Sequence, residues 1–134
     1  MDKEISHFWL GYFRSEEEFY DFVEENDDYY IGEESDDEYV SKFAESQHIN
    51  WFDYDFLEYG FEDERLGIYE KFSEYSYADE WLPAIAQKIN ELGMDTPVNA
   101  IIFASRFAVP KPVSVETDDY ALYYMGEIEF SVDS

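Results

Sequence analysis

The chain has 134 residues, a length that suits one domain with a single core, and its 34 acidic and 8 basic side chains give a formal net charge of −26. Aromatic residues make up 21% of the chain, which excludes a disordered acidic chain because buried rings offset the entropy lost on folding. Binding to nucleic acid or to an anionic membrane is also disfavoured, because both require clustered Lys and Arg.

The chain contains no cysteine, which excludes disulfides, thiolate metal sites and a cysteine nucleophile. Residues 1–5 show no basic region before an apolar stretch, and no apolar run reaches the roughly 18 residues that a membrane helix needs. We therefore expect a cytoplasmic protein.

The first predicted element is a strand from Ile5 to Phe13. Apolar side chains occur at both odd- and even-numbered positions, which indicates that both faces of the strand are buried. Ser15 and Glu18 then form a capping-box pattern, which predicts a helix. Its end is expected at residues 26–28, where Asn and Asp side chains follow one another. The apolar spacing makes its buried stripe Phe19, Phe22 and Val23.

Ser35 and Glu38 repeat the capping-box pattern and predict a second helix that stops near Gln47 and His48. Residues 50–61 mix aromatic and acidic side chains with partial alternation, which predicts a loop followed by a strand. The apolar stripe of the second helix consists of Tyr39, Val40, Phe43 and Ala44.

A long helix is predicted from an N-cap at Ser76 to a terminating Gly93. Pro83 is tolerated only in a first helical turn, so the helix should either begin near Glu80 or bend at the proline. Its apolar stripe has helical spacing and consists of Ala78, Trp81, Leu82, Ile85, Ile89 and Leu92.

Two strands complete the chain, an internal one over residues 98–104 and a half-exposed one over residues 120–130, with a turn at Pro110 and Pro112 between them. In the second of these strands, strict alternation places Glu127 and Glu129 on one face. The other face is expected to carry Tyr120, Leu122, Tyr124, Ile128 and Phe130.

These elements predict an α+β fold, with a mainly antiparallel sheet and about three helices packed on one face of it. No linker or low-complexity segment divides the chain. We expect residues 1–134 to form a single domain.

The strongest functional signal is an acidic run from Glu16 to Glu38 that contains thirteen acids and no Lys or Arg. The plain alternative is a solvated helix face with a loop. Aromatic rings near its centre instead favour a binding surface, in which an anchor is surrounded by a charged rim. The candidate partner-binding residues here are Asp27, Asp28, Tyr29, Tyr30, Glu33, Glu34, Asp36, Asp37 and Glu38.

A second cluster of carboxylates and rings follows, and Glu62, Asp63 and Glu64 extend it. It is either a second contact patch or a strand whose rings enter the core while its acids face water, and the sequence supports both interpretations equally. Its candidate contact residues are Asp53, Asp55 and Glu58.

The sequence offers no specific sign of catalysis, so we predict no catalytic residues, no metal ligands and no cofactor. Close carboxylate pairs arise by chance among 34 acids, and His7 and His48 do not fit a metal-binding spacing. No nucleophile elbow, phosphate-binding loop or dinucleotide fingerprint is present.

The segments 7–13 (HFWLGYF) and 15–19 (SEEEF) resemble the opening strand and helix of the bacterial immunity protein 22 family. Segments 41–44 (SKFA), 51–56 (WFDYDF) and 76–79 (SYAD) extend the likeness over most of the chain. The resemblance implies an α+β protein of a bacterial polymorphic toxin system, which binds its cognate toxin so that the producing cell survives. Many such toxins are nucleases with basic substrate grooves, a good match for an acidic protein.

The leading hypothesis is therefore an immunity protein, monomeric when free, that neutralises a basic toxin through an acidic and aromatic surface. The alternative is a DNA mimic that inhibits a DNA-binding protein, since rows of carboxylates can imitate phosphates. A third hypothesis, a hydrolase or cation-dependent enzyme with a carboxylate pair, has no recognisable site in the sequence.

Overall fold

The computed structural model describes residues 2–24, 41–49, 57–75, 77–93, 97–107 and 109–132. Five strands form one sheet in the order β2-β3-β1-β5-β4, and all neighbouring strands are antiparallel. The predicted α+β class with a mainly antiparallel sheet is thus confirmed. The strands are β1 (Asp2–Phe13), β2 (Leu57–Phe61), β3 (Ala100–Ser105), β4 (Val115–Glu116) and β5 (Tyr120–Val132).

Helices cover both faces of this sheet, which corrects the prediction that they pack on one face. Alternation along β1 sends Trp9 into the cluster with α1 and α2, while Phe8 and Leu10 enter the cluster with α3 and α4. The prediction failed because it did not extend the two-sided burial of β1 to the whole sheet. The described helices are α1 (Glu16–Val23), α2 (Lys42–Ser46), α3 (Ile68–Phe72) and α4 (Ala78–Leu92).

Strand β1 lies at the centre of the sheet, between β3 and β5. Every residue from Ser6 to Gly11 is buried, which confirms the prediction of a strand covered on both faces. No helix in the described part of the chain is long and apolar enough to cross a membrane.

Helix α1 begins as predicted, because the Ser15 hydroxyl accepts the Glu18 amide at 3.2 Å. The other half of the capping box differs, since the Glu18 carboxylate binds the Arg14 guanidinium instead. The helix ends at Val23, with Glu24 as its C-cap, and so stops before the predicted terminator at residues 26–28, which lies outside the described residues. The predicted stripe of Phe19, Phe22 and Val23 is buried.

Within the described residues, helix α2 begins at Lys42. Its N-cap is Ser41, whose hydroxyl accepts the Ala44 amide at 3.1 Å, whereas the predicted cap at Ser35 lies outside the described residues. Its end confirms the prediction, because Gln47 is the C-cap and His48 adopts a positive φ of 63°. Helix α3 was not predicted.

Helix α4 begins at Ala78 and contains Pro83 in its second turn, so the expected start near Glu80 is wrong. Pro83 lacks the N–H that would bind the Asp79 carbonyl, but both residues are exposed and water can take that carbonyl. The helix ends at Gly93 in the left-handed conformation, as predicted. Leu92, placed in the apolar stripe by its spacing, is 53% exposed.

A bulge in β5 reverses the predicted faces of its second half. The pairing with β1 shifts by one residue between Phe8 and Trp9, opposite Gly126, which has a φ of 99°. An extra residue in one strand exchanges the two faces beyond it. Ile128 and Phe130 therefore lie in the cluster with α4, opposite the face of Leu122, and strict alternation misplaced them.

Gly60 of β2 is required by a close approach rather than by its backbone angle. A Cβ atom there would collide with the hydroxyl of Tyr75, which donates to the Glu62 carboxylate at 2.9 Å and has its ring against Phe72. We expect Gly60→Ala to lower the free energy of unfolding by about 1–3 kcal/mol, measured by urea denaturation. Gly67→Ala is the control, because its Cβ would meet only ordinary contact distances, and equal stability of the two variants would contradict the prediction.

Candidate partner-binding surface

One predicted partner-binding residue, Glu58, lies within the described residues. It is exposed on β2, opposite Phe103 of β3. Burial of its carboxyl and the nearby charge of Glu4 raise the pKa of Glu58. The others lie outside the described residues: Asp27, Asp28, Tyr29, Tyr30, Glu33, Glu34, Asp36, Asp37, Glu38, Asp53 and Asp55.

The side chains of β2 decide between the two interpretations of the second acidic cluster, as far as that cluster is described. Leu57 is buried, and Tyr59 and Phe61 pack against the core on the face of α1 and α2. Glu58 points to the opposite face and stays exposed. The described part is therefore a strand with core rings and an outward acid, and Tyr59 is not an exposed anchor.

The acids that extend this cluster are partly engaged within the chain. Arg65 binds Asp63 at 2.7 Å, and this hydrogen-bonded pair lowers the pKa of Asp63 to about 2. Glu62 accepts the Tyr75 hydroxyl, and burial together with Glu62 raises the pKa of Tyr75 above its ordinary value. The cluster thus offers less free negative charge than its composition suggests.

The described flanks of the first acidic run meet on one face of the sheet. Glu24 caps the end of α1, and Ser41 caps the start of α2. Lys42 on α2 binds Asp21 on α1 at 2.6 Å in an exposed ion pair between the two helices. Glu24 and Ser41 are therefore the nearest described residues on either side of the undescribed part of the run.

An open cleft of about 500 Å³ lies next to α2. One wall comes from the helix pair, and the other comes from the segment around β4 and the start of β5. Gln47, which is buried, fixes these walls to each other, because its amide donates to the Val113 carbonyl at 3.0 Å and accepts the Val113 N–H at 2.7 Å. The cleft is lined by Phe22, Lys42, Glu45, Ser46, His48, Val113, Ser114, Val115 and Tyr120.

Negative charge dominates the described surface. Where burial is described, no Asp or Glu is buried, and most are exposed. Among the described residues, four of the eight bases bind acids of the same chain, and so few pairs leave a large excess of acids among the 34 without a basic partner. The engaged bases are Lys3, Arg14, Lys42 and Arg65.

His7 is a buried titratable group on β1. Its Nδ1 lies 2.7 Å from the Tyr124 hydroxyl, and its Nε2 lies 4.0 Å from Glu127. Burial lowers the pKa of His7, with the Glu127 charge opposing this effect. Burial likewise raises the pKa of Tyr124 to about 12, so the pair is neutral at pH 7.

This arrangement predicts a pH effect on stability. As pH falls below the ordinary histidine pKa of about 6.5, the unfolded chain binds a proton that native His7 resists, so stability decreases. We expect the advantage of the wild type over His7→Gln, in free energy of unfolding, to be smaller at about pH 5.5 than at about pH 8. Carboxylate titration is common to both proteins and largely cancels, and His48→Gln is the exposed control. An advantage that stays constant or grows on acidification would contradict the prediction.

Within the described residues, no group of three or more His, Cys, Asp or Glu side chains is placed to hold a metal ion. In the cleft, burial raises the pKa of Tyr120, with Glu45 and Asp119 adding to the effect, so this phenol stays protonated and is not a base at neutral pH.

The motifs that carried the family resemblance are structural where they are described. Segment 7–13 forms the second half of β1, and Phe19, Phe43 and Ala78 are buried core residues. These motifs build the sheet and anchor the helices. They therefore identify the fold and leave the binding surface to other residues.

Comparison with known proteins gives one family-level match. A family model described as Immunity protein 22 matches residues 6–131, which spans all five strands and four helices except the outermost residues of β1 and β5. No curated protein and no solved structure matches the chain.

Proposed function

Because the chain belongs to the immunity protein 22 family, in which toxin neutralisation is the expected role, we propose that it binds a basic protein toxin, a nuclease, and blocks its substrate groove. The single observation that carries the choice of a basic toxin is the surface charge. A net charge of −26, with every acid of described burial at or near the surface, favours fast association with a cationic partner.

We place the principal contact at the acidic run, centred on Asp36, Asp37 and Glu38, and propose that the cleft next to α2 contributes to it. Two features support this choice. The two described chain ends beside the undescribed part of the run, Glu24 and Ser41, lie at the helix pair that forms one wall of the cleft, and the cleft itself is lined by apolar side chains with the charged groups of Glu45 and Lys42 beside them. Such a mixture suits a binding surface with an anchor pocket and a charged rim.

In this proposal the whole chain acts as one domain in the bacterial cytoplasm, monomeric when free, and part of a polymorphic toxin system. It acts by occupying the toxin and not by catalysis. Repulsion between highly charged copies disfavours self-association, and the same charge disfavours direct contact with nucleic acid.

The direct test is co-expression with the product of the neighbouring gene, with complex formation and host survival as the two measurements. We expect a one-to-one complex, rescue of the host, and an affinity that falls as salt concentration rises. Absence of both binding and rescue would contradict cognate immunity. Displacement of DNA from several unrelated DNA-binding proteins would instead favour the DNA-mimic alternative.

Charge reversal tests the proposed contact. Changing Asp36, Asp37 and Glu38 together to Lys should weaken the complex by about tenfold or more and reduce its salt dependence, because attractive charge pairs become repulsive. Affinity measured over a salt series is compared with a matched triple reversal of exposed acids on the α3 and α4 face. That control changes Glu70, Glu74 and Glu91, and an equal loss in both variants would indicate net charge rather than a local contact.

A further inference from the structure

The outer edge of β5 is open over most of its length in the described structure. Strand β4 pairs only with Ala121 and Leu122, and the Tyr124 N–H donates to the Ser114 hydroxyl at 2.8 Å. Beyond the bulge at Gly126, the strand continues to Val132 with β1 on one side only. This stretch is an unpaired edge among the described residues.

Hydrogen bonds on the other side of β1 fix which backbone groups face this edge. The Arg106 N–H donates to the Ile5 carbonyl at 3.1 Å, so Ile5 directs its backbone groups toward β3 and away from β5. In an antiparallel ladder, the residue opposite such a position turns its own groups outward. Glu129 lies opposite Ile5, and Glu127 lies opposite His7 two residues on, so both present a free N–H and C=O at the edge.

The side chains along this edge alternate in character. Glu127 and Glu129 are exposed on the face that also carries His7. Ile128 and Phe130 enter the apolar cluster with α4 on the other face. A strand laid against this edge would therefore meet carboxylates on one face and apolar side chains on the other.

Charge decides between the possible occupants. A second copy of this chain would place Glu127 and Glu129 near identical carboxylates, and both partners would carry the full charge of −26. Acids on an open edge are a known protection against such self-pairing. Glu129 lies 3.4 Å from Lys3 in an exposed ion pair, and Glu127 has no Lys or Arg partner among the described residues. Together these acids attract a strand whose facing side chains are Lys or Arg.

We propose that the β5 edge at Glu127 and Glu129 binds an extended segment of the toxin, in which basic side chains alternate with apolar ones, as an added strand of the sheet. This inference rests on the proposed function and gives it a second contact apart from the acidic run. Main-chain hydrogen bonds supply affinity in this mode of binding, and alternate side chains supply specificity.

Glu129→Pro tests the backbone contact, because proline removes an outward N–H and is tolerated on a sheet edge. The control is Glu116→Pro on the edge strand β4. The Thr117 N–H donates to the Tyr120 carbonyl on β5, so the backbone N–H and C=O of the adjacent Glu116 point away from β5. Glu116→Pro therefore also removes an outward N–H from a sheet edge. The measurement is affinity for the co-expressed neighbouring gene product, with thermal unfolding as a check on folding. We expect Glu129→Pro to weaken the complex about tenfold and Glu116→Pro to leave it within about twofold.

Amide hydrogen exchange on the wild-type protein needs no substitution and gives an independent measurement. The amides of Glu127 and Glu129 should become protected in the complex, while Ile128 and Phe130, already paired with β1, provide the internal reference.

The double variant Glu127→Gln with Glu129→Gln tests the charge and keeps the strand. We expect it to have a lower affinity for the toxin, and that affinity should depend less on salt concentration than the affinity of the wild type does.

The outcomes separate this inference from the proposed function. A complex that rescues the host but neither protects these amides nor responds to Glu129→Pro overturns the edge contact and leaves immunity standing. No complex and no rescue overturns both. A wild-type dimer that Glu129→Pro dissociates shows that a second copy occupies the edge, which also overturns the proposal.

Discussion

Replacing Trp9 with alanine is expected to lower the free energy of unfolding by about 3–5 kcal/mol, the largest effect of any single substitution considered. Trp9 is completely buried on β1. The centroid of its ring lies 5.1 Å from the ring centroid of Phe43 and 5.5 Å from that of Tyr124. Its indole N–H donates to the Val113 carbonyl at 3.1 Å. One side chain therefore supports α2 and the segment that leads into β4, which together wall the cleft.

Urea denaturation with linear extrapolation measures this loss. Trp9→Phe is the informative control, because it keeps an aromatic ring while removing the N–H that binds Val113. We expect it to cost less than half as much as the alanine variant. A loss below about 1 kcal/mol for Trp9→Ala would mean that the ring is not the packing centre of this face.

Asn99→Ala is expected to cost about 2–4 kcal/mol, because two buried backbone groups lose their partners. The Asn99 amide accepts the Phe13 N–H at 3.0 Å and donates to the Phe13 carbonyl at 2.8 Å. Its own backbone accepts the Glu62 N–H and donates to the Gly11 carbonyl. Asn99 thus joins the ends of β1 and β2 to the start of β3.

Chemical denaturation of Asn99→Ala is compared with Asn90→Ala, the same change at an exposed position of α4. We expect the exposed variant to stay within about 0.5 kcal/mol of the wild type. If both variants were equally stable, water would have to replace the lost amide at Phe13, and the side chain would not be needed to hold these strand ends.

Local patterns predicted most elements of this fold, because the signals act over a few residues. The Ser15 cap, the α1 stripe and the Gly93 terminator follow from side-chain and backbone preferences within one turn of helix. The β-branched run before Ser105 similarly predicted β3. The α+β class followed from the order of these elements.

The errors arose where position in the sheet overrides a local pattern. Alternation in β5 is interrupted at Gly126 by a bulge, which depends on how this strand aligns with β1. The exposure of Leu92 was also missed. It depends on where α4 meets the sheet and not on the spacing of the apolar residues in the helix.

The candidate site divides in the same way. Composition and the acidic run predicted a cationic partner, but residues 25–38 of that run lie outside the described residues and their contact role remains a proposal. Glu58 illustrates the limit, since the sequence supported a contact patch and a strand with core rings equally, and only the sheet shows that the neighbouring Tyr59 packs against the core. The β5 edge, which is open among the described residues, had no sequence signal, because the pairing of a strand depends on the order of strands in the sheet.

The sequence alone determined the charge, the absence of thiol chemistry, the apolar stripes and the family, because each depends on residue identity or on spacing along the chain. Tertiary structure decided which faces those stripes cover and which edge of β5 is open among the described residues. It also decided the pairs of hydrogen bonds by which the Gln47 and Asn99 side chains bind distant backbone groups. These features join residues far apart in the chain. They follow from the order and register of the strands, which no local pattern specifies.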